Sequence, residues 1–594
     1  MTSEAILLSS EISKPIDSNL ARIAEFLGVE CKFIQDDYKS GIYHLRKQIR
    51  SNDLCLITSA KTLAKIQCTY NYGDDSKYFL FKQARFIFVY GFCPGKIENS
   101  VLKYLTSGLL SSISSFDHCD YKYQLSSDLR HITKQFCGLS FGPINKDIDF
   151  NFVKENNSND LKDIISINNR SFFTTLKKNK CVLFLLATNQ IVDINDTIDV
   201  SFNIKKYFSQ LAPPLMFLRY VFKDRCWHNK KRYASFIIDD PLLKESYGFL
   251  NYRHLLRAMD QHNFSSTIAF IPWNYNRTDR SVALLFKDRA DRLSICAHGC
   301  DHTQNEFGIT DSKRLNNKIR LATNRMEFHE QLTGISFDKV MVFPKGIFSR
   351  QAMKMLKCNN YLGAVNSISI PNDANKSKVL KLSDYLDIAI MKYENFPLFL
   401  RKYPGEMIDF AFDLFLGKPL FFVEHHHYFK EGYEEIAKFI QKINSIEKDI
   451  RWKRLEEIFK NINLQKRISD ENIYCKIYVN NAIIKNEYDI IQKYVIIKNE
   501  TEGIPIEELS VNGKKAVYNI ENNLLTLYVE IAPKSTAEIK IIYQNDYPYS
   551  IDNRELGYKV KTNARRYLSE FRDNYLSKNE VLLSLANKFM RLFS

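Results

Sequence analysis

The sequence predicts an α/β protein whose central part is a sheet of parallel strands with helices between them. Short apolar runs alternate with helical segments from about residue 230 to 465, and repeated βα units of this kind give parallel strands joined by right-handed crossovers. Four of these apolar runs end in carboxylates, imidazoles or a Pro-Lys-Gly turn. After residue 470 the pattern changes to short alternating strands with Asn-rich turns, which indicates a separate β region.

The length and composition limit the classes of protein to which this chain can belong. At 594 residues the chain is too long for one hydrophobic core and predicts about three domains. The first residues lack the basic and apolar segments of a signal peptide, and no run of 18 uncharged apolar residues predicts a transmembrane helix. The 12 cysteines are scattered without a CxxC pair, which is typical of reduced thiols and predicts a cytoplasmic location.

The formal net charge of +16 is compatible with an acidic partner such as nucleic acid, anionic lipid or an acidic glycan. The lysines are spread along the chain, and no dense basic cluster with interleaved aromatic residues stands out. We therefore favour a generally lysine-rich surface, and we do not expect a nucleic acid partner.

Residues 1–205 predict an N-terminal α/β domain with a largely parallel sheet. No GxGxxG or P-loop motif assigns a nucleotide to this domain, so its role stays open. Leu211-Ala-Pro-Pro-Leu215 marks the boundary that follows. The predicted strands of this domain are Ala5–Ser9, Cys31–Ile34, Leu54–Thr58, Arg85–Tyr90 and Val182–Ala187.

Residues 230–465 predict the central βα units. Their strands are expected at Phe236–Ile238, Thr267–Ile271, Leu293–Ala297, Val340–Phe343, Leu362–Val365, Ile388–Met391 and Leu420–Val423. Helices are expected at Tyr252–Gln261, Asp279–Lys287, Lys313–Leu332 and Arg350–Lys357.

Residues 470–545 predict a small antiparallel β-sandwich, which would bind a glycan or cap the central domain. Residues 550–594 predict an amphipathic helical tail with basic residues. Such a tail lies on an anionic membrane surface or packs as a C-terminal helix pair, and we favour packing.

The first strand of the central region ends in two carboxylates. Phe236–Ile238 is followed by Asp239 and Asp240, and Pro241 then ends the strand. Neighbouring carboxylates differ in pKa, so that one holds a metal while the other handles a proton. In isolation an Asp-Asp-Pro segment is more often a plain turn.

Three later strand ends favour the functional reading. His298 and His302 follow Leu293–Ala297, and they lie on one face if the chain turns helical there, the pairing that a metal needs. A Pro344-Lys345-Gly346 turn follows Val340–Phe343, and three histidines, His425 to His427, follow the last strand. In barrels of parallel strands this C-terminal edge carries the chemistry.

These four stretches, in this order, resemble the motifs of the polysaccharide deacetylase family (NodB-homology, carbohydrate esterase family 4). The resemblance covers about residues 230–460. The matching segments are Ile237-Ile-Asp-Asp-Pro241, His298-Gly-Cys-Asp-His302, Val342-Phe-Pro-Lys-Gly346 and Phe421 to His425. Pro241 stands where the family has glycine, Lys345 where it has an aromatic residue, and Val342 where it has the arginine that holds the catalytic aspartate.

The resemblance implies a distorted (β/α) barrel of about seven parallel strands. It also implies a metal-dependent hydrolase that removes acetyl groups from an N- or O-acetylated carbohydrate, with a lipid-linked or nucleotide-linked sugar as one option. As an enzyme it would be a carbohydrate deacetylase that acts on a C–N bond other than a peptide bond. A divalent metal, with zinc favoured, would be held by Asp240, His298 and His302. A glycan-binding or scaffold protein on the same fold, without turnover, is the alternative.

The same resemblance implies roles for the remaining residues. Asp239 would be the general base and His425 the general acid, with His426 as the alternate acid. The backbone N–H of Lys345 would stabilise the oxyanion, and Phe343 and Pro344 would line the substrate site.

Overall fold

The computed structural model describes residues 5–9, 15–35, 54–69, 84–155, 158–199, 202–373, 380–549 and 556–578. Most of the described strands belong to an N-terminal sheet, a central sheet and two smaller sheets that follow it. The limits of the domains expected from the sequence stay a prediction.

Among the described residues, the N-terminal sheet has 11 strands. Its strands are β1 (Ala5–Ser9), β2 (Cys31–Gln35), β3 (Leu54–Ser59), β4 (Ala84–Tyr90), β5 (Leu110–Ser115), β6 (Tyr123–Leu125), β7 (Ser140–Phe141), β8 (Phe150–Lys154), β9 (Leu161–Ile167), β10 (Arg170–Lys178) and β11 (Cys181–Leu186). Its helices are α1 (Pro15–Phe26), α2 (Ala60–Thr69), α3 (Lys96–Thr106) and α4 (Arg130–Thr133).

Only half of this sheet is parallel. Strands β2, β1, β3, β4 and β11 pair in parallel, as the sequence predicts, whereas β5 to β10 form antiparallel pairs. The prediction of a largely parallel sheet is wrong for this second half. The two-residue turns from β9 to β10 and from β10 to β11 join strands that pair directly, and they are too short to hold the crossovers that parallel strands need.

The expected boundary at Leu211–Leu215 lies inside a helix. Helix α5 (Phe208–Phe222) contains Pro213 and Pro214, and every residue from Phe208 to Leu218 is buried. Each proline costs the helix about 3 kcal/mol, and burial of this almost wholly apolar surface offsets that cost.

The part of the central sheet that the structure describes has 8 strands. In chain order the next elements are β12 (Thr197–Ile198), β13 (Arg232–Asp239), β14 (Ser246–Tyr247), β15 (Leu250–Asn251), α6 (Tyr252–His262), β16 (Ser266–Phe270), α7 (Arg280–Asp288), β17 (Leu293–His298), α8 (Ser312–Thr333), β18 (Phe337–Val342), α9 (Arg350–Cys358), β19 (Gly363–Asn366), β20 (Leu380–Lys381), α10 (Leu382–Leu386), β21 (Leu398–Leu400), α11 (Met407–Leu416), β22 (Leu420–His425), α12 (Glu434–Ile446), β23 (Ile450–Trp452) and α13 (Leu455–Asn461).

These strands form a curled parallel sheet in the order β21-β19-β18-β17-β16-β13-β22, with β23 added beside β13. The two edge strands meet at one parallel bridge between Lys402 and Phe422, so the sheet approaches the barrel that the resemblance implies. All the strands run the same way, and their C-terminal ends therefore share one edge.

One predicted strand of the central sheet is misplaced. Ile388–Met391 is not a strand; Ile390 only forms an isolated bridge to Leu398. The strand is Leu398–Leu400, and it pairs in parallel with β19. Both segments are short and apolar, so the local pattern does not separate them.

The C-terminal strands form a sheet of five strands and a sheet of four. They are β24 (Asn463–Arg467), β25 (Asn472–Ile477), β26 (Asn481–Lys485), β27 (Gln492–Asn499), β28 (Ile506–Val511), β29 (Lys514–Lys515), β30 (Asn519–Glu521), β31 (Leu524–Ile531) and β32 (Thr536–Tyr543). The wholly antiparallel expectation is wrong at one pair, because β25 and β27 are parallel. The sandwich arrangement stays a prediction.

The last described helix is α14 (Leu556–Asn574). Its polar side contacts segments that follow strands of the central sheet, whereas Val560, Leu568 and Phe571 are exposed. The helix pair and the membrane surface, the two alternatives for the tail, both stay predictions. The tail residues beyond 578 lie outside the described part of the chain. Within the described part, no helix combines the length and the apolar character needed to cross a bilayer.

Candidate metal centre

The end of β13 places its two carboxylates in different environments. Asp239 is the last residue of the strand and is almost completely buried. Asp240 follows with a positive φ of 78°, a backbone conformation that costs a non-glycine residue energy and that clusters at functional sites. This turn directs the Asp240 carboxylate toward His298 and His302. These histidines lie at and just beyond the end of β17, which is two strands away from β13 in the sheet.

His298 is fixed by the neighbouring strand. It ends β17 and is buried, and its Nδ1 lies 3.1 Å from the carbonyl oxygen of Val342. A hydrogen bond there requires Nδ1 to carry the proton, which leaves the lone pair of Nε2 on the other side of the ring. That Nε2 lies 3.3 Å from Oδ1 of Asp240.

His302 reaches the same oxygen from a loop. Its Nε2 lies 3.1 Å from Oδ1 of Asp240. The segment between the two histidines is a bend, not the helical turn that the i, i+4 spacing suggested, and His302 has a positive φ of 54°. The histidines therefore converge through loop geometry.

Glu306 holds this loop in place, and sequence reasoning missed it. The buried Glu306 carboxylate accepts hydrogen bonds from the backbone N–H groups of Cys300, Asp301 and His302 at 3.0 to 3.1 Å. Lys318 lies 3.3 Å from the same carboxylate. Glu306 thus sets the position of His302 from outside the centre.

The three side chains fit a divalent cation. Their ligand atoms all lie within 4.8 Å of one another, and the two N–O distances of 3.1 and 3.3 Å match the roughly 3.3 Å edge of a tetrahedron with metal–ligand distances of ~2.0–2.1 Å. The buried Oδ1 of Asp240 has no hydrogen-bond donor among the described residues, as expected for an atom that binds a metal.

The electrostatics of the centre favour positive charge. Burial raises the pKa of the Asp240 carboxyl, but His302 and His298 outweigh burial and hold it well below its usual value. Burial lowers the pKa of His298, yet Asp239 and Asp240 raise it on balance. Two imidazoles and one carboxylate are a donor set for zinc or a similar metal and leave positions for other ligands.

Arg401 supplies the guanidinium that is missing at Val342. Its Nη1 and Nη2 donate to the two carboxylate oxygens of Asp239, both at 2.6 Å, and both side chains are 5% exposed. Burial raises the pKa of Asp239, but Arg401 and His298 lower it on balance. Asp239 is therefore a buried carboxylate that its partners keep ionised.

A sequence signal for Arg401 exists. The apolar run Leu398–Leu400 ends in Arg401, the same pattern of a strand with a polar end that marked Asp239 and His298. Because the strand was placed at Ile388–Met391, this strand end went unnoticed.

The two candidate acids differ in position. His425 pairs in register with Asp239, and partners in a parallel pair face the same side of the sheet, so His425 lies beside Asp239. His426 is buried, and its Nε2 lies 3.6 Å from Oδ1 of Asp573 in α14. Its ring also packs against Tyr247 and Phe249.

The Pro-Lys-Gly segment forms a tight turn after β18. Lys345 has a positive φ of 55° and an exposed side chain. The hydrogen bonds of the turn use the N–H groups of Gly346 and Ile347, so the Lys345 N–H stays outside them. Pro344 packs over Gly299 in the histidine loop.

Phe343 does not line a surface. Its side chain is fully buried and its ring lies 5.2 Å from the ring of Phe348 and 5.7 Å from that of Phe307. The expectation that it contacts substrate is therefore replaced by a core role, since this residue, directly after β18, is buried among aromatic rings.

Helix α14 lies across the same edge of the sheet. Tyr558 donates to Asp301 at 2.9 Å, Trp273 to Asn563 at 2.8 Å, and Tyr247 to Asp573 at 2.6 Å. These contacts involve loops after β13, β16 and β17. Burial and then Arg565 lower the pKa of Arg566 in this helix, while Asp240 opposes them, which places Arg566 within the electrostatic field of the metal centre.

Glu570 is the main ionic anchor of α14. Its carboxylate lies 2.5 Å from Nζ of Lys244 and also pairs with Arg277, and its side chain is 12% exposed. We expect Glu570→Gln to loosen the helix and to speed amide hydrogen exchange over residues 556–574, since the variant removes a charge-assisted contact worth about 1.5–3 kcal/mol.

Hydrogen exchange read by mass spectrometry measures this effect. Lys561→Gln, an exposed change on the same helix, is the control and should leave the exchange unchanged. Equal protection of residues 556–574 in the Glu570→Gln variant and the wild type would show that the ion pairs do not hold the helix.

Comparisons with known proteins give structural likenesses only. No protein-family model and no curated protein sequence matches the chain. The crystal structure of Agd3, a novel carbohydrate deacetylase, aligns with 91% of this chain and 98% of its own at 9% identity and a TM-score of 0.44.

Two smaller proteins align with part of the chain. A putative polysaccharide deacetylase from Mycobacterium smegmatis covers 39% of this chain and 91% of its own, at 13% identity and a TM-score of 0.27. A family 4 carbohydrate esterase from Streptomyces lividans covers 38% and 92%, at 13% identity and a TM-score of 0.23. The chemistry of the site follows from its own residues.

Proposed function

We propose that this protein is a metal-dependent hydrolase that removes acetyl groups from an acetylated carbohydrate. The observation that carries the proposal is the convergence of Asp240, His298 and His302 on one point beside the buried Asp239–Arg401 pair. Two imidazoles and a carboxylate form a hydrolytic metal site when a separate base lies next to them.

Asp240, His298 and His302 would hold the metal, and zinc suits this donor set best. When bound, a divalent cation would lower the pKa of a water molecule and polarise the acyl carbonyl of the substrate. Asp239 is the base of the proposal. Arg401 keeps its carboxylate ionised and fixes its plane through two hydrogen bonds, so that an oxygen of Asp239 is ready to accept a proton.

His425 is the proposed acid. It lies at the end of the strand next to Asp239, where its imidazole donates a proton to the departing amine or alcohol. His426 is held against Asp573 and two aromatic rings, which favours a structural role that connects α14 to the barrel.

The Lys345 turn provides the last element of the proposal. Its backbone N–H would donate to the oxygen that becomes negative as the acyl carbon is attacked. The positive φ of Lys345 is consistent with a backbone held in a costly conformation at a functional site.

Acetate release from N-acetylated and O-acetylated oligosaccharides tests the proposal on the zinc-loaded protein. We expect release by the wild type, a loss of about 10²- to 10⁴-fold in kcat for His425→Ala, and a smaller loss for His426→Ala. His427→Ala, an exposed neighbour, is the control. Retained release in His425→Ala would remove this residue from the mechanism. Glycan binding without any acetate release would favour the binding-protein alternative.

A further inference from the structure

A basic cavity lies at the opposite end of the barrel from the metal centre. Its volume is about 580 Å³. It is bounded by the turn after α4, by the end of α5 and by the start of β13. Strand β13 is 8 residues long, so its first residue, Arg232, lies roughly 23 Å from Asp239 at ~3.3 Å per residue.

The charges around this cavity are mostly of one sign. Four cationic side chains line it together with two histidines, whereas one carboxylate, Asp224, does so among the described residues. The carboxylate of Asp224 lies 3.7 Å from Nε of Arg467, so its negative charge already interacts with another cation. The cationic side chains are Lys134, Arg219, Lys223 and Arg232.

The two arginines have no carboxylate within ion-pair distance in the part of the chain that the structure describes. Arg219 donates to the carbonyl oxygen of Leu416 at 3.2 Å, and its guanidinium lies 5.0 Å from the centre of the Phe415 ring. Arg232 donates to the carbonyl oxygen of Asn229. The Nε atoms of Arg219 and Arg232 are buried without an acceptor, which is costly for a charged group.

The cations also repel one another. Burial and then Arg232 lower the pKa of Arg219 to about 10. Burial lowers the pKa of Lys134 as well, followed by Arg232, Arg219 and Lys223. A multiply charged anion between these side chains would relieve this repulsion and satisfy the buried donors.

Both lysines occupy costly backbone conformations. Lys134 has φ 50° and ψ −121°, and Lys223 has φ 50° and ψ −117°. Each follows the last turn of a helix, where glycine adopts a positive φ without strain. Two lysines in this costly conformation at one cavity favour a ligand site there, since strained residues cluster at ligand sites.

We propose that this cavity binds a small organic phosphate. The paired arginines present the planar donors that bind phosphate oxygens, and the two lysines add charge. The volume exceeds that of a phosphate group alone and is typical of a small-molecule site. Tyr220 and Phe415 line the cavity and provide apolar surface for the organic part.

Isothermal titration calorimetry at fixed ionic strength tests the site, with pyrophosphate and uridine diphosphate as probes. We expect both to bind the wild type with one site per chain. The double variant Lys134→Gln/Lys223→Gln should bind each probe at least tenfold more weakly, because it removes two phosphate contacts. Both lysines are exposed, so we expect the double variant to unfold at the wild-type temperature when no probe is present.

Lys313→Gln, an exposed lysine at the start of α8, is the control and should bind like the wild type. Tighter binding of uridine diphosphate than of pyrophosphate would support an organic phosphate as the ligand, and equal affinity would overturn the proposed contacts of Tyr220 and Phe415 to an organic part. The proposal fails if neither probe binds the wild type, or if the double variant binds both as tightly. This result does not depend on acetate release.

Discussion

Replacing Asp240 with alanine is expected to remove the bound metal and to lower acetate release by roughly a hundredfold or more. Its Oδ1 is the one atom that faces both histidines, at 3.3 Å from His298 and 3.1 Å from His302. Without this carboxylate the two imidazoles have no anionic ligand between them, and a divalent cation loses both a bond and its charge partner.

Metal content by mass spectrometry and acetate release measure this effect on the same preparations. Asp288→Ala is the matched control, because Asp288 is an exposed carboxylate at the end of α7. It should retain metal and activity. Stoichiometric metal in the Asp240→Ala variant would show that the three side chains do not form the metal centre, and acetate release without metal would contradict the proposed chemistry.

Replacing Arg401 with glutamine is expected to destabilise the protein by about 3–5 kcal/mol, because it leaves the carboxylate of Asp239 buried without its partner. The two hydrogen bonds of this pair are 2.6 Å long and the side chains are 5% exposed. We also expect acetate release to fall, because without the two hydrogen bonds from Arg401 the carboxylate of Asp239, the proposed base, no longer has a fixed orientation.

Chemical denaturation measures the loss of stability, and the chain offers a matched control. Arg289 also binds a carboxylate through two nitrogens, at 2.6 and 2.8 Å from Asp260, but this pair lies at the surface. Arg289→Gln should therefore cost less than about 1 kcal/mol. Equal losses in the two variants would contradict the role of burial.

A second variant separates charge from packing at this site. Asp239→Asn/Arg401→Gln removes both charges at once, so it should recover much of the stability lost in Arg401→Gln while leaving acetate release low. No recovery would indicate that the shape of the arginine side chain, not its charge, stabilises this part of the curled sheet.

The local sequence pattern already determined most of the central sheet and its polar strand ends. Apolar runs of strand length that end in Asp239, His298 and His425 are visible without any structure. Since parallel strands share one C-terminal edge, this pattern predicts that these three residues lie at the same edge, whereas Asp240 and His302 reach the site through the loops that follow the strands. The same pattern did not separate Ile388–Met391 from Leu398–Leu400, because two short apolar segments look alike when only local periodicity is considered.

The tertiary structure alone decided which side chains support these residues. Arg401 is 162 positions from Asp239, and their pairing depends on the curl of the sheet that brings β21 near β13. Helix α14 reaches the same edge through contacts made 326 positions away along the chain. Sequence periodicity reports which face of an element is apolar, but the position of a partner from a distant element depends on how all the elements pack. Strand ends, Arg401 included, could therefore be predicted, whereas the pairing of Arg401 with Asp239 and the contacts of α14 at this edge could not.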